Sequence, residues 1–283
     1  MLGKPFLIIS FLFICFIGKG QSKAFEVQVY GKGQPIILIP GYSCSGDVWK
    51  ETVNHLKNKY ECHVLTLAGY NGVPAIDTPV LKTIKNAIVE YITQKKWKHV
   101  ILIGHSLGGF MSNWVASEIP DKISKMIIVD AVPAYAAMQN ENINFDSLKL
   151  EAKKNYKATI QYFKSQEDSD YIAKNSKAMY WQVSDTARAR QIATWSFHSD
   201  RTTLGATFLE MSTTDLRQDI KKIKCPVLIM PSLYGTEAAS LKITNEQYAN
   251  LQNKEIVVAH SKHFIMYDQP EWMYKQIDEF LKK

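Results

Sequence analysis

The sequence offers few residues for a structural metal site or for a network of disulfides. Only four of its 283 residues are cysteine, no Cys-x-x-Cys pair occurs, and the spacings are not those of metal ligands. Internal repeats and the basic runs interleaved with aromatic residues that are typical of nucleic-acid-binding surfaces are also absent. The formal net charge of +7 comes from scattered lysines. We therefore expect a solvated basic surface, no metal and no nucleic-acid partner.

The first twenty residues differ from the rest of the chain and have the layout of a secretory signal peptide. Lys4 gives a positive start, residues 6–17 are almost wholly apolar, and Gly-Lys-Gly at positions 18–20 has the spacing that a signal peptidase reads. A single anchor helix is the alternative, but the apolar run is shorter than the roughly 20 residues needed to span a bilayer. We predict a signal peptide over residues 1–20, cleavage before Gln21, a secreted or periplasmic protein, and no stable membrane span after cleavage.

Three cysteines remain after removal of this leader: Cys44, Cys62 and Cys225. Export would permit one disulfide and leave one free thiol, and the sequence does not decide which pair would form. Cys225 precedes an apolar strand and is most simply a small core residue. Within the leader, Cys15 is a poor lipidation site because Ile14 occupies the position where a small residue is expected.

Short apolar runs alternate with segments of helical periodicity in residues 21–283, which predicts an α/β fold. Continuous apolar runs are typical of strands buried on both faces of a parallel sheet, whereas Phe25, Val27 and Val29 alternate with polar residues as in an edge strand. The predicted strands are 25–29, 36–39, 64–67, 100–103, 126–129, 227–230 and 256–259. We predict a single domain over residues 21–283, with a mostly parallel twisted sheet and helices on both of its faces.

Two helix boundaries are marked by proline. Thr78 is predicted to be the N-cap of a helix whose first position is Pro79. The closing helix is predicted to begin at Pro270. Its apolar residues Met273, Ile277 and Phe280 recur at helical spacing.

The long stretch of about 134–224 contains no convincing buried strand, and we predict that it is a helical insertion lying over one edge of the sheet as a cap. It is rich in aromatic residues, namely Tyr135, Tyr156, Tyr162, Phe163, Tyr180, Trp181, Trp195, Phe197 and Phe208. These side chains could form the pocket for the acyl or alcohol part of a substrate, or they could attach the insertion to the sheet. The sequence is compatible with both interpretations.

A glycine-rich motif follows the predicted strand 100–103. It reads G-H-S-L-G-G over residues 104–109, and a helix is predicted to follow it. A serine on such a tight strand-to-helix turn needs small residues two positions before and after it, which Gly104 and Gly108 supply. The hydroxyl then lies at a helix N-terminus, where the helix dipole and free N–H groups stabilise negative charge. Ser106 is therefore the candidate nucleophile, and the flanking strand and helix disfavour the alternative of an incidental serine.

Acyl transfer also requires a base and a pair of oxyanion donors. The N–H of Leu107, directly after the nucleophile, is one candidate donor, and the N–H of Tyr42, after an earlier strand, is the other. His105 is adjacent to the serine and cannot readily reach it. His260 and His263 follow the last strand, where a loop meets the strand end that carries the serine. His263 is better placed in that loop and is the candidate general base, with a surface histidine as the alternative interpretation.

These motifs resemble those of the α/β-hydrolase superfamily of serine hydrolases over essentially the whole mature chain. The matching segments are 39–42, 104–109, 263–264 and 269–271. The resemblance implies the chain order nucleophile, acid, histidine, which this sequence fits. The family usually has His-Gly at the oxyanion turn, where this chain has Pro-Gly. Because the donor is a backbone N–H, we expect this difference to matter little.

The acid of the family most often follows the strand that corresponds to 227–230, and this chain departs from that pattern. Residues 231–237 read Pro-Ser-Leu-Tyr-Gly-Thr-Glu and contain no aspartate. Two candidates remain. Asp130 ends the predicted strand 126–129, a position that some lipase-like members use, and Glu237 lies in the loop where the acid is commoner. We favour Asp130, with Glu237 as the alternative.

The resemblance implies acyl transfer to water by Ser106, His263 and Asp130, with no metal or organic cofactor. We predict a carboxylesterase whose partners are small molecules, most simply small to medium apolar esters. A carbon–carbon bond hydrolase or an aminopeptidase would use the same residues and is an alternative. A non-catalytic ligand-binding protein that keeps the fold is the alternative from another class. The missing acid at the usual place favours it, and the intact serine and histidine disfavour it.

Overall fold

The computed structural model of the protein describes residues 23–138, 140–166 and 169–283. Its strands in this part of the chain are β1 (Phe25–Tyr30), β2 (Gln34–Ile39), β3 (Tyr60–Leu67), β4 (Val100–His105), β5 (Ile123–Val129), β6 (Val227–Met230) and β7 (Lys254–Ile256). They form one sheet with the order β1-β3-β2-β4-β5-β6-β7. β1 is antiparallel to β3, and the other neighbouring pairs are parallel. The predicted mostly parallel α/β fold is confirmed.

Helices connect these strands and cover both faces of the sheet. Within the described residues they are α1 (Lys50–Leu56), α2 (Val80–Gln94), α3 (Leu107–Glu118), α4 (Phe145–Lys164), α5 (Tyr171–Met179), α6 (Thr186–Phe197), α7 (Arg201–Thr213), α8 (Glu237–Gln247), α9 (Ile265–Asp268) and α10 (Pro270–Lys282). The closing helix α10 begins at the predicted proline. Its three predicted apolar residues are buried.

β2 illustrates why the inner strands are continuous apolar runs. Its last four residues, 36–39, have no exposed surface. Successive side chains of a strand point to opposite faces, so Ile37 and Ile39 pack with side chains of α2 and α3. Ile36 and Leu38 pack on the other face with side chains of α1 and α10. Burial of each such side chain contributes about 1.5–3 kcal/mol, and neither face of the strand has a position for a polar residue.

Four helices, α4 to α7, lie between β5 and β6, where the sequence predicts a helical insertion. They pack as two pairs, α4 against α7 and α5 against α6. The first pair is close because α7 has a glycine at the contact, and a Cβ on Gly205 would lie 2.8 Å from Ile160 Cδ1. The described part of residues 134–224 contains helices and no strand. That this segment is a cap with those boundaries stays a prediction.

The helix α2 begins at Val80, one residue later than predicted, and Thr78 does not cap it. The N–H groups of Val80 and Leu81 instead donate to the two carboxylate oxygens of Glu210, each over 2.7 Å. Glu210 belongs to α7, and a carboxylate at a helix N-terminus is favoured by the helix dipole. The prediction of a threonine cap was wrong because a side chain distant in sequence takes that position.

The last strand is shorter than predicted and lies earlier in the chain, at Lys254–Ile256 instead of 256–259. Beyond β7, Ala259 still donates its N–H to the carbonyl of Pro231, the residue after β6, over 2.8 Å. Because proline has no N–H, Pro231 cannot donate a hydrogen bond to the neighbouring strand, and the regular ladder ends at Met230.

Among the residues described above, no helix has the length and apolar character needed to cross a bilayer. The predicted signal peptide over residues 1–20 lies outside the described residues.

Candidate active site

Ser106 lies between β4 and α3, on the predicted strand-to-helix turn. Its backbone has φ +51° and ψ −120°, a conformation that non-glycine residues rarely adopt and that often marks functional sites. A Cβ on Gly104 would lie 2.2 Å from the carbonyl oxygen of Gly108, and a Cβ on Gly108 would lie 2.0 Å from that of Ile39. Both positions therefore require glycine, as the sequence motif indicates.

The turn after β2 packs directly against this serine. A Cβ on Gly41 would lie 3.3 Å from Ser106 Cβ, so the chain at Tyr42 passes close to the candidate nucleophile. The side-chain hydroxyl of Tyr42 donates to the carbonyl of Leu204 over 2.8 Å, which attaches this turn to α7. Leu107 is the first residue of α3, and the first N–H groups of a helix have no intrahelical partner. The oxyanion roles of Tyr42 and Leu107 stay predictions that this arrangement permits.

His263 and Asp130 are brought together from two ends of the sequence. Asp130 Oδ2 lies 2.5 Å from His263 Nδ1. Asp130 directly follows β5, has φ +45° and is 3% exposed. His263 lies in the loop between β7 and α9, and about a quarter of its side chain is exposed. The histidine thus has a buried carboxylate behind one ring nitrogen, while part of its surface faces outward.

Two further residues bind the same carboxylate, and sequence reasoning did not identify them. Ser232 donates its N–H to Asp130 Oδ1 over 2.7 Å and its hydroxyl to Oδ2 over 2.8 Å. The hydroxyl of Tyr234 donates to Oδ1 over 2.5 Å. Both residues belong to the loop after β6, in which the sequence analysis looked only for an acid. The presence of hydroxyl side chains in that loop was the available signal.

These hydrogen bonds decide the protonation of the buried acid. Burial alone would raise the pKa of Asp130, but hydrogen bonds from His263, Ser232 and Tyr234, together with the charge of protonated His263, hold the pKa below its ordinary value. Burial, followed by the nearby Asp130 charge, raises the pKa of Tyr234. The pair therefore consists of an ionised carboxylate and a neutral phenol that donates to it.

Glu237, the alternative acid, lies elsewhere. Its Oε2 atom is 3.2 Å from His260 Nε2, and both side chains are more than half exposed. A solvated pair of this kind contributes little. Of the two candidates, only Asp130 contacts His263.

Ser106, Asp130 and His263 all line one cavity of about 650 Å³, a volume suited to a small molecule. Side chains of the helices α4 to α7 and of the loop before them form much of the apolar wall, including Met138, Phe163, Met179, Ile192, Phe208 and Met211. Of the aromatic residues noted in the sequence, Trp181 also lines the cavity, whereas Trp195 is buried in the core. The aromatic residues are thus divided between the cavity wall and the core, and that those in the wall bind part of a substrate stays a prediction.

No hydrogen bond joins the Ser106 hydroxyl to His263 among the described residues. Such bonds are often long in the absence of substrate and tighten only in the reacting complex. The geometry brings the three predicted residues to one cavity and leaves their catalytic roles as predictions.

A sequence profile described as "alpha/beta hydrolase fold" matches residues 34–270. The chain belongs to the alpha/beta hydrolase fold family. It is 31% identical over 117 residues to a "Pimeloyl-[acyl-carrier protein] methyl ester esterase" of Vibrio cholerae, a match that covers 41% of this chain and 44% of that protein. A protein of the same name from Aliivibrio salmonicida is 24% identical over 275 residues, covering 90% of this chain and 97% of that protein. The match to the first of these relatives thus spans less than half of its length.

Solved structures of other proteins share this fold. A thermophilic esterase from Thermogutta terrifontis superposes with a TM-score of 0.73 at 16% identity, covering 91% of this chain and 93% of that one. An enol-lactonase from Burkholderia xenovorans superposes with a TM-score of 0.71 at 14% identity, covering 92% and 96%. At these identities the likeness concerns the fold alone.

In this alpha/beta hydrolase, the second histidine of the site has a different environment. His105 is fully buried, and its Nε2 atom lies 3.1 Å from the carbonyl oxygen of His263. Burial, followed by the neighbouring His263, lowers the pKa of His105 to about 3. Its ring packs at centroid distances of 4.5 Å from His263 and 4.7 Å from Phe264. His105 therefore packs as a neutral imidazole against the loop that carries His263.

The described residues contain no group of three histidine, cysteine, aspartate or glutamate side chains that could hold a metal ion. Cys44, Cys62 and Cys225 are buried free thiols. The structure therefore has no disulfide between any two of them. Burial raises the pKa of Cys44 to about 12 and that of Cys62 to about 11. Thiols of this kind are unreactive because reaction requires the thiolate.

Proposed function

We propose that this protein is a serine carboxylesterase that acts on small to medium apolar esters, with Ser106, His263 and Asp130 as its catalytic triad. The observation that carries the proposal is the Asp130–His263 pair, joined over 2.5 Å and facing the same cavity as Ser106. A base that is oriented by a third group, close to a serine on a strained turn, is the arrangement of activated serine nucleophiles.

The reaction is an acyl transfer to water in two steps. His263 removes the proton of the Ser106 hydroxyl as its oxygen attacks the ester carbonyl, and the N–H groups of Tyr42 and Leu107 stabilise the oxyanion. Protonated His263 then gives this proton to the departing alcohol, and Asp130 stabilises the imidazolium meanwhile. A water molecule repeats these steps on the acyl-enzyme, which releases the acid and restores the serine.

Among the described residues, the wall of the cavity has no carboxylate that is free to bind an ammonium group of a substrate. Two carboxylate or amine side chains line it, Asp130 and Lys262. Asp130 is fully occupied by its donors, and Lys262 Nζ donates to the carbonyl of Tyr180 over 2.5 Å. An aminopeptidase would need a carboxylate for the substrate's ammonium group, so this occupancy disfavours that alternative. The Vibrio and Aliivibrio relatives are named as methyl ester esterases, which adds methyl esters to the expected substrates.

The test is hydrolysis of a substrate panel by purified protein. We expect turnover of p-nitrophenyl and methyl esters with short to medium acyl chains, and little or none of aminoacyl amides and diketones. Ser106→Ala should abolish turnover, whereas Ser147→Ala, at an exposed serine of α4, should retain it. Preferential cleavage of diketones or amides would replace the esterase proposal with the corresponding alternative. Binding of apolar esters without any turnover would favour a ligand-binding protein.

A further inference from the structure

The carboxylate of Asp130 has two hydrogen bonds on each oxygen, and water has almost no access to it. Its side chain is 1% exposed, so a donor lost from this site would not be replaced by bulk solvent. A carboxylate in a protein interior is costly unless its lone pairs are occupied. The donors that surround it therefore matter for its charge as well as for its position.

Ser232 fixes the rotation of this carboxylate. Its N–H binds Oδ1 and its hydroxyl binds Oδ2, so one residue holds both oxygens and determines the plane of the group. Only a fixed plane keeps Oδ2 directed at His263 Nδ1.

Tyr234 acts on the opposite oxygen. Its hydroxyl donates to Oδ1 over 2.5 Å, the oxygen that does not contact the histidine. A short hydrogen bond to a carboxylate withdraws negative charge from it. The carboxylate then stabilises a positive charge on the imidazole less than it would without this donor.

The loop that carries both residues is itself attached to neighbouring elements. The backbone of Tyr234 is held in place, because its N–H donates to Ser240 Oγ in α8 over 2.7 Å. The N–H of Leu233 donates to the carbonyl of Ser261 over 3.2 Å, close to His263 in sequence. The same loop thus contacts the acid and the segment that carries the histidine.

We propose that Ser232 and Tyr234 are positioning residues that hold the Asp130 carboxylate in place for His263 and limit how strongly it stabilises a positive charge on the imidazole. Two residues of the loop after β6 thereby bind and orient the acid that follows the neighbouring strand β5. This inference rests on the proposed function, because it takes His263 to be the base that activates Ser106.

Other titratable groups around the pair must be considered in any pH experiment. His105 lies against the ring of His263 from the β4 side and stays neutral because its pKa is about 3. Lys262 is adjacent in sequence, but its Nζ atom is held by the carbonyl of Tyr180. Tyr248, after α8, is buried near Asp130 and donates to the carbonyl of Ala131 over 3.0 Å, without a hydrogen bond to the acid.

The experiment measures the rate of Ser106 labelling by a fluorophosphonate as a function of pH, which requires no knowledge of the natural substrate. The acid limb of this rate reports the protonation of the base in the free enzyme. Removal of the Tyr234 hydroxyl leaves more negative charge on Asp130, which stabilises protonated His263. In Tyr234→Phe the acid limb should therefore move to higher pH by about half a unit. Ser232→Ala should move it in the same direction, and the double variant should move it further.

Tyr248→Phe is the matched control, because it removes another buried tyrosine hydroxyl near Asp130 and should leave the limb in place. Circular dichroism and thermal melting verify that each variant folds. If Tyr234→Phe does not fold, Ser232→Ala still provides the test. A lower rate at every pH with an unmoved limb in both folded variants would show a merely structural role and overturn this inference alone. Absence of labelling in the wild type at every pH would overturn the proposed function and this inference together.

Discussion

At the scale of single residues, the site contains two histidines whose rings lie 4.5 Å apart, centroid to centroid, and whose surroundings give them different chemistry. His105 is fully buried, and among the described residues its ring has a hydrogen bond to the carbonyl of His263 and none to a carboxylate. His263 contacts Asp130 directly and is partly exposed. Of the two histidines, His263 is the one whose ring contacts an anion that would stabilise a proton on it. Burial and hydrogen-bond partners, more than residue type, therefore favour His263 as the proposed base.

The first prediction concerns the acid at this scale. Asp130→Asn should preserve the fold yet lower turnover by about three to four orders of magnitude, because an amide cannot stabilise the imidazolium and favours the wrong tautomer. Glu237→Gln is the matched control and should have a far smaller effect, since that carboxylate is exposed and contacts His260. Steady-state kinetics of both variants decide the matter. Nearly full activity in folded Asp130→Asn would show that the assignment is wrong.

The second prediction concerns the pH dependence of stability. The pKa of His105 is lowered from 6.5 to about 3 in the fold, so between these values the unfolded chain binds a proton that the folded chain does not. The stabilising contribution is therefore complete above about pH 6.5 and is lost as the pH falls towards 3. Below pH 6.5 it should fall by about 1.4 kcal/mol per pH unit.

Urea unfolding at a series of pH values measures this slope. His105→Gln keeps a donor for the carbonyl of His263 but cannot titrate, and its unfolding free energy should depend less on pH between 6.5 and 4. The exposed residue His99 is the control, and His99→Gln should retain the wild-type dependence. Equal slopes in wild type and His105→Gln would contradict the assignment of a buried neutral imidazole.

At the scale of elements, the loop that carries His263 is attached to the connection between α5 and α6. The N–H of Phe264 donates to the carbonyl of Gln182 over 3.0 Å. Asp268, at the end of α9, accepts from the N–H and the hydroxyl of Ser184 over 2.9 and 3.2 Å. The helices α4 to α7 thus form a wall of the cavity, and the connection between α5 and α6 holds the loop that carries His263.

The third prediction tests this attachment. Asp268→Ala removes the acceptor for Ser184 and for the N–H of Lys262 and should lower the free energy of unfolding by about 1–2 kcal/mol. It should also reduce kcat, because the loop of His263 becomes less fixed. Asp278→Ala is the matched control, since this aspartate binds His55 on α1 and lies in a different element from the base. If both variants reduce kcat equally, the attachment has no specific role in positioning His263.

The same elements show which features a sequence can predict. Continuous apolar runs predicted the inner strands because burial on both faces of a sheet leaves a local pattern in the sequence. The glycines around Ser106 likewise predicted the tight turn on which this serine lies. Asp130 followed from the absence of an aspartate in 231–237, together with the resemblance. The contacts that were missed, Glu210 at the start of α2 and Tyr234 on Asp130, join residues that only the packing of distant elements brings together. No local pattern encodes which residue each of them contacts, although the hydroxyl side chains of the loop after β6 were a signal that this loop could bind a carboxylate.

At the scale of the whole molecule, the sheet topology brings the candidate site together. β4, β5 and β6 are parallel neighbours, so their carboxyl ends lie at one edge of the sheet. Ser106, Asp130 and the loop of Ser232 follow these three strands in turn, and the loop of His263 comes after β7. Ligands of parallel α/β sheets bind at this edge. The site is therefore a consequence of strand order, to which the helices α4 to α7 add an apolar wall.

The fourth prediction concerns the whole chain and its location. We propose that the protein is exported and that its leader is removed before Gln21, on the pattern of Lys4, the apolar run and the small residues at 18–20. Intact mass and N-terminal sequencing of protein from its native cell should give a chain that begins at Gln21. A mature form that retains Met1, or one that is lipidated at Cys15, would contradict this proposal.

Covalent labelling shows directly whether Ser106 is an activated nucleophile. A fluorophosphonate should react with purified wild-type protein at neutral pH, and peptide mass spectrometry should locate the adduct on Ser106. Ser106→Ala should abolish labelling and His263→Ala should slow it by orders of magnitude, while Ser147→Ala should react like the wild type. Well-folded wild-type protein that is not labelled, or that is labelled on another residue, would show that Ser106 is not the activated nucleophile.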